Sequence, residues 1–538
     1  MDIFLLIVSA AIFACVILNK LSSKLGIPVL LAFIVLGMLF GSDGIMKIPF
    51  DNFRFAEQIC SFALVFIMFY GGFSTKWSEA KPSAVKAGLL SSFGTIITAM
   101  LVGLFCHYIL KIKILESFLI GSVISSTDAA SVFSILRSKK LNLKYNTASM
   151  LEVESGSNDP FSYMLTIIML SLINGDASIG RFSFMLLKQL IFGAFFGVTI
   201  AFIAWLIYKK TESLESGFDS IFIVAIAILS YAAPTFFGGN GYLSVYITGI
   251  ILGNLRISDK QSLVHFFDGM TGLMQMVLFF LLGLLSFPSE LPTIAPTALF
   301  IALFLTFIAR PIAVFMILTP FRCKLKQQLL VSWAGLRGAA SIVFAILAVT
   351  NPANIDNDIY HIVFFIVLFS ILFQGTLLPV FAKLLKMIDN KNDVMRTFTD
   401  YIEEVPVEFL QCTLNAEHEW VNKKIKEIIF PPESIIVLLI RDNEKIIPKG
   451  NTILCPGDVL ILSGKTADRI NDVYLIEKTI ARGNEWIDKT VSEISTANKL
   501  IVIIKRQGKI IIPKGSTVLQ KNDIVIMNDT ESKELSKV

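Results

Sequence analysis

Ionisable side chains cluster inside runs that are otherwise apolar: Asp128, Glu152, Glu154, Asp159, Arg310 and Arg337. A charge at bilayer depth costs at least about 2.5 to 3.5 kcal/mol on insertion scales, so each one needs a structural or a functional reason. Asp128 follows Ser125-Ser126-Thr127, three hydroxyl residues that interrupt an apolar run. Glu152, Glu154 and Asp159 lie in Leu151-Glu-Val-Glu-Ser-Gly-Ser-Asn-Asp-Pro160, and Arg337 lies in Trp333-Ala-Gly-Leu-Arg-Gly-Ala339. On a helix Glu154 and Asn158 share one face, while Ser155 and Asp159 share the next strip. The first strip predicts a structural polar cluster of Glu154, Asn158 and a buried arginine. The second predicts a hydroxyl and a free carboxylate turned toward a small cation. The hard-oxygen set of Asp159, Ser155, Thr127 and Asp128 suits an alkali ion or a proton, and lacks the soft ligands that a transition metal prefers.

The elements that must position these groups are membrane spans. The 538 residues are 54% hydrophobic and 17% charged, with a mean hydropathy of +0.70, which excludes a soluble multidomain chain. Of 47 Lys and Arg, 24 fall in residues 1 to 382, and the rest crowd into the last 156 residues. Charge in that tail is dense and nearly balanced, so a cationic nucleic-acid-binding surface is not expected. The six cysteines show no C-x-x-C spacing, and the four histidines do not pair with them at metal-ligand intervals, so neither a disulfide framework nor a zinc site is expected. The start, MDIFLLIVSA, has an acidic n-region and no small-residue cleavage site, which predicts a retained first span.

Runs long enough to cross about 30 Å of hydrocarbon number about thirteen: 2–18, 27–40, 58–72, 83–110, 115–134, 146–173, 182–208, 218–236, 241–254, 262–286, 293–318, 327–350 and 358–386. Loops on one side of this arrangement carry 16 Lys and Arg, and the alternating loops carry six, none of them in the last three. Positive loops stay cytoplasmic, so the N-terminus is expected outside and the tail inside. The fifth and twelfth spans are rich in Gly, Ser and Thr at mid-length and sit seven apart. That separation fits two related repeats, and paired interrupted helices point to a midplane binding site.

Ser-Thr-Asp128-Ala-Ala, Glu154-Ser-Gly-Ser-Asn158-Asp159-Pro, Ala309-Arg-Pro311 and Gly335-Leu-Arg-Gly-Ala339 together resemble the monovalent cation/proton antiporters of the first cation-proton antiporter family. Within it they are most similar to the cell volume regulation protein A type of potassium/proton antiporters. The resemblance implies a polytopic α-helical fold with inverted repeats and crossed, broken helices at spans 5 and 12. It also implies a homodimer, whose core of spans 4–6 and 11–13 moves against a dimerisation domain. By the same resemblance Asp159 binds cation and proton in turn, and Asn158 marks electroneutral rather than electrogenic exchange. Glu154 and Arg310 match the family's structural pair. Arg337 is read either as facing a cytoplasmic cavity and tuning the pH response or as snorkelling, and Glu152 as oriented away from the site. Whether the cation is K+ or Na+ stays open. The rivals are a tail-regulated cation channel, which has no selectivity-filter sequence here, and a sensor that retains a transporter fold.

The tail repeats itself. Ile436-Val-Leu-Leu-Ile-Arg-Asp-Asn-Glu-Lys-Ile-Ile-Pro-Lys-Gly450 recurs 65 residues later as Ile501-Val-Ile-Ile-Lys-Arg-Gln-Gly-Lys-Ile-Ile-Ile-Pro-Lys-Gly515. Each copy predicts three strands with a Pro-Lys-Gly turn and one preceding helix, a small α+β unit. The division is a membrane domain over 1–388, a linker over 389–400, and units over 401–475 and 476–538. Both units resemble the C-terminal subdomain of potassium-conductance regulators, which implies a regulatory ligand such as a nucleotide or cyclic dinucleotide, or another small anion. Lys449 and Lys514, at equivalent turns, are the candidate anion contacts. No G-x-G-x-x-G follows a strand in the tail, so NAD is not expected, and neither is any other cofactor.

Overall fold

A computed structural model describes residues 9–18, 20, 29–75, 77–128, 131–132, 135–136, 141–175, 179–210, 218–255, 257, 260–353, 355–389, 407–416, 418–430, 434–441, 444–465, 475–480, 484–494, 499–506, 509–511 and 513–529. The chain divides into two compact units, Met1–Glu404 and Val405–Val538. Of the linker expected over 389–400, all but Asp389 lies outside the described residues.

The first unit is helical. Lipid offers no partner to backbone amides, so a chain this apolar satisfies them within each segment. Seven of its described helices are long and apolar enough to cross a membrane: Phe53–Ser74, Ala80–Tyr108, Ser183–Lys210, Phe218–Phe236, Ser262–Leu284, Leu291–Leu318 and Ile359–Leu384. Shorter apolar helices cover Ser9–Leu18, Val29–Phe40, Ile114–Val123 and Ala339–Thr350. Thr147–Ile173, Gly241–Asn254 and Leu325–Trp333 are helical as well. Three of the long helices are widened by a π-helical turn, at Leu90–Gly94, Leu305–Ala309 and Ser370–Gly375. Each such turn inserts extra backbone into an otherwise regular helix.

The apolar interior of this unit is split in two. One cluster gathers Phe66, Ile124, Leu170, Ala309, Ala339 and Ile371, and the other Val132, Val153, Val314, Leu336 and Leu378. The charged and hydroxyl residues singled out above fall at the seam. Ser125 to Asp128 lie between Ile124 and Val132, Glu154 to Asp159 between Val153 and Leu170, Arg310 between Ala309 and Val314, and Arg337 between Leu336 and Ala339. A polar layer thus interrupts the apolar interior, and Ser125, Ser126, Thr127, Glu154, Asn158, Asp159, Arg310 and Arg337 in it are buried.

The tail unit holds two four-stranded antiparallel sheets of the same design. The first comprises β1 (Val407–Thr413), β2 (Ser434–Arg441), β3 (Glu444–Ile446) and β4 (Val459–Lys465), in spatial order β1-β4-β2-β3. The second comprises β5 (Leu475–Thr479), β6 (Lys499–Arg506), β7 (Lys509–Ile511) and β8 (Ile524–Asp529), in order β5-β8-β6-β7. Both sheets carry a bulge at the same place in the repeat, between Ile436 and Leu438 and between Ile501 and Ile503. Two expectations are corrected. Each unit opens with a strand that the repeat pattern did not include, and the preceding helix shrinks to a 3-10 turn at Ile425–Glu427 and a four-residue helix at Val491–Ile494. The amphipathic stretch is too short to pay for helix nucleation, and Trp420 and Trp486 beside it pack into the sheet cores.

Candidate functional site

Two helices stop short in the seam. Ile114–Val123 ends where Ile124 leaves helical geometry, and a hydroxyl-rich run follows. Ser125 Oγ and Ser162 Oγ donate to the Ser122 carbonyl at 2.7 and 2.6 Å, side-chain bonds that compete with continued helix. Leu325–Trp333 ends at Ala334, and a new helix starts at Ala339. The non-helical segments 124–128 and 334–338 bind each other. Asp128 N–H donates to the Leu336 carbonyl at 2.8 Å, and Arg337 Nη1 donates to the Ser125 and Ser126 carbonyls at 2.7 and 2.6 Å. The guanidinium therefore binds the non-helical segment just past the C-terminus of a short helix, a region where cations are stabilised. Arg337 N–H donates in turn to Ser370 Oγ at 3.0 Å, within the π turn.

The glycines flanking Leu336-Arg337 make this approach feasible. A Cβ on Gly335 would lie 2.8 Å from Arg310 Nε, and one on Gly338 would run into the Asp128 carboxyl. Any side chain at either position displaces a charged group of the layer.

Within the layer, Arg310 Nη2 meets Glu154 Oε1 at 2.5 Å, with both side chains almost fully buried. Asn158 is not part of that pair, which corrects the expected cluster of Glu154, Asn158 and arginine. Its Nδ2 donates to Thr127 Oγ1 at 2.5 Å. Four-residue spacing aligned Glu154 with Asn158, but the shorter Asn158 side chain finds a hydroxyl on the facing unwound segment. Ser155 Oγ donates to the Thr127 main-chain carbonyl at 2.7 Å. Asp159 accepts from Ser126 Oγ, a residue absent from the expected ligand set. The signal was present in the Ser125-Ser126-Thr127 run, but nothing in spacing alone says which hydroxyl faces the carboxylate. Asp128 accepts from Ser131 Oγ at 2.6 Å and from Ser131 N–H at 3.3 Å.

Asp159, Asp128, Thr127 and Ser126 line one cavity of about 30 Å³, closed by Leu64, Ile67, Gln275, Phe279 and residues 338–340. That is room for one or two water-sized occupants. Ser155 packs behind it. The alternatives for Arg337 are both replaced, because the side chain is 1% exposed and bound to carbonyls, neither in an aqueous cavity nor reaching for an interface. Glu152, two helical turns before Asp159 and half-buried, is not among the residues that line this cavity.

In the tail, Lys449 and Lys514 stand exposed at equivalent turns. Their amides donate to Thr452 and Thr517 Oγ1 at 2.9 and 2.8 Å, which closes each turn. Behind them Arg441 forks onto Asp458 with both contacts at 2.7 Å, and Arg506 onto Asp523 at 2.9 and 2.7 Å. The Arg441 hydrogen bond holds the Asp458 carboxyl below the usual carboxylate range. Burial pushes Asp523 up, but the Arg506 and Gln520 hydrogen bonds outweigh it and its range is also lowered.

The sodium/hydrogen exchanger transmembrane model matches residues 7–384, and the TrkA-C domain model matches twice, over 410–474 and 475–527. The chain is 33% identical over 471 residues to the K(+)/H(+) antiporter NhaP of Alkalimonas amylolytica, covering 87% of this chain and 82% of that protein. It is also 33% identical over 469 residues to the K(+)/H(+) antiporter NhaP2 of Shewanella sp. (strain MR-4), covering 85% and 81%. Among solved structures, the sodium proton antiporter MjNhaP1 from Methanocaldococcus jannaschii has the same fold, with a TM-score of 0.62 at 22% identity over 72% of this chain and 98% of that one. With its polar layer, two non-helical segments and repeated TrkA-C tail, the chain belongs to the sodium/hydrogen exchanger family of multi-pass membrane transporters and is not an enzyme.

Proposed function

We propose that this chain exchanges one monovalent cation, K+ in preference to Na+, for one H+, with Asp159 as the group that carries either. The observation that carries this reading is the charge of the polar layer. Arg310 pairs with Glu154, Arg337 lies buried on main-chain carbonyls, and half-buried Asp128 lines the cavity with buried Asp159, so with these five groups ionised the empty set holds one net negative charge. A proton or a monovalent cation on Asp159 brings the set to neutrality, and both loaded forms cross with the same charge. Moving the uncovered charge is costly, which favours exchange over leak. Ser126, Ser155, Thr127 and Asp128 supply hard oxygens around the occupant. The preference for K+ rests on the names of the two antiporter relatives, which match along most of their length.

The test is dequenching of a pH dye in proteoliposomes, titrated separately with K+ and Na+, before and after Asp159→Asn. Loss of exchange in the variant and an initial rate indifferent to clamped voltage are expected. Retained exchange in Asp159→Asn would refute the assignment.

The same reading includes thirteen spans in inverted repeats with crossed, broken fifth and twelfth helices. It places the protein in a bacterial inner membrane as a homodimer, with the N-terminus outside and the tail in the cytoplasm. The tail then acts as a regulator that binds a small anion, a nucleotide or a cyclic dinucleotide, with Lys449 and Lys514 as contacts. A ligand shifts transport only by preferring one state, and a preference of about 1 to 3 kcal/mol gives roughly 5- to 150-fold coupling. Deleting residues 396–538 is expected to leave a folded exchanger with altered cation affinity or pH profile. Identical curves for both proteins, with and without nucleotides, would leave only dimerisation for the tail.

A further inference from the structure

Three elements that wall the Asp159 cavity continue, one turn on, into a second cluster. Tyr163 is four residues beyond Asp159, Phe344 is four beyond Ala340, and Ser61 is three before Leu64, so each lies on the same helix face as its cavity residue. They meet two tyrosines from other helices. Tyr163 and Tyr242 contact edge to face with centroids 5.0 Å apart, Tyr231 and Tyr242 are also 5.0 Å apart, and Phe344 lies 5.7 Å from Tyr163 and 6.1 Å from Tyr242. Tyr242 is 1% exposed and Phe344 fully buried, which makes this a plug over one end of the cavity. Ser61 lies on the helix face of Leu64, one turn further out, and Tyr231 meets Tyr242 ring to ring. Beyond the plug stands Glu57, half-buried, one turn further along the helix from Ser61 and seven residues from Leu64. Glu57 therefore shares the helix face that carries Ser61 and Leu64. Glu57 lies near the helix end that follows the Lys/Arg-poor loop at 41–52, the external side by the positive-inside rule.

We propose that Glu57, Ser61, Tyr231 and Tyr242 form an outer monovalent-cation station, separated from Asp159 by a gate of Tyr163, Tyr242 and Phe344. This rests on Asp159 as the exchanging group. A carboxylate, a serine hydroxyl and two phenols offer hard oxygens to an alkali ion, and the ring faces attract a cation once it is partly desolvated. The negative charge at the mouth concentrates cations there. A rotation of the Tyr163 ring, carried on the same helix as Asp159, would join the two stations, so only one side is open at a time.

The experiment compares cation KM from each face, using full-length protein in right-side-out and inverted vesicles with K+ as probe. Glu57→Gln is expected to raise the external KM about tenfold through loss of uniform binding, while the KM from the cytoplasmic face moves less than about twofold. Glu57→Asp should restore most of the loss. In the second arm Tyr163→Ala, which opens the plug, should allow cation flux uncoupled from H+. An unchanged external KM in active Glu57→Gln protein overturns the station, as does an equal shift on both faces, which marks a structural role. Failure of the underlying reading shows separately, as exchange that survives Asp159→Asn.

Discussion

Carboxylates are treated in opposite ways by the two units. In the tail, Asp458 and Asp523 are each saturated: a forked arginine, a further backbone N–H from Cys455 or Gln520, and almost no solvent. In the membrane layer the arginines are spent elsewhere, Arg310 on Glu154 and Arg337 on the Ser125 and Ser126 carbonyls. Asp159 keeps a hydroxyl partner, Ser126, and among the described residues no basic side chain pairs with it. Full saturation builds a turn that stays closed. A carboxylate with one neutral donor retains lone pairs for an exchangeable ligand. The sequence positions of the acids do not distinguish these fates, but their partners do.

The sharpest way to break the contrast is to neutralise one acid of each kind. Asp159→Asn should reduce coupled exchange to the level of protein-free liposomes with little change of melting temperature in detergent, because no ion pair is lost. Glu154→Gln or Arg310→Ala should do the reverse and lower stability by about 3 to 5 kcal/mol, since one buried charge is left uncovered. Denaturation of the double variant should show losses that are far from additive. Additive losses would mean the 2.5 Å contact contributes nothing.

A middle-sized effect is expected at Gly338→Ala. The added methyl meets the Asp128 carboxyl, and overpacking of this kind costs about 1 to 3 kcal/mol. Transport assays should show a weakened cation affinity, because Asp128 lines the cavity that Asp159 shares.

The smallest effect is expected from acid on the tail. Asp458 and Asp523 both titrate below their unfolded range when folded. Their stabilising contribution is therefore complete above an unfolded value of about 3.9 and is lost as pH falls through the folded values. Hydrogen exchange of β2, β4, β6 and β8 in the full-length protein should be equally protected at neutral and mildly acidic pH, and should loosen only below about pH 4. Loosening near neutrality would sink the saturated-pair account.

Much of this was legible before any fold was known. Most of the described part of the apolar runs falls on helices, because a period-free hydrophobic stretch in lipid has no alternative that satisfies its backbone. A buried arginine beside Glu154 was readable from the residues, and the family resemblance named Arg310, which the structure places against it. Ser126 and the true partner of Asn158 were not. Both depend on how an unwound segment presents its hydroxyls, and helical spacing has no authority where the helix has ended. Arg337 was misread for the same reason: its partners are main-chain carbonyls, which leave no mark in a sequence. The strands β1 and β5 escaped because each lies ahead of the repeated stretch that advertised the rest of its sheet.

The π turns carry a consequence for how this chain tolerates length change. Leu305–Ala309 ends one residue before Arg310, and Ser370–Gly375 contains the serine that receives the Arg337 amide. A π turn is an α-helix holding one surplus residue. Deleting that residue would return the helix to regular winding with both flanks close to their present facing, because the wide turn already absorbs it. The same deletion in the regular turn after Leu291 would swing Arg310 about 100° away from Glu154, although every amino acid of the polar layer remained. A one-residue deletion inside these two π turns is thus a milder lesion than one made a turn away, and what it removes is the local contact of the wide turn, such as that of Ser370 Oγ with the Arg337 amide.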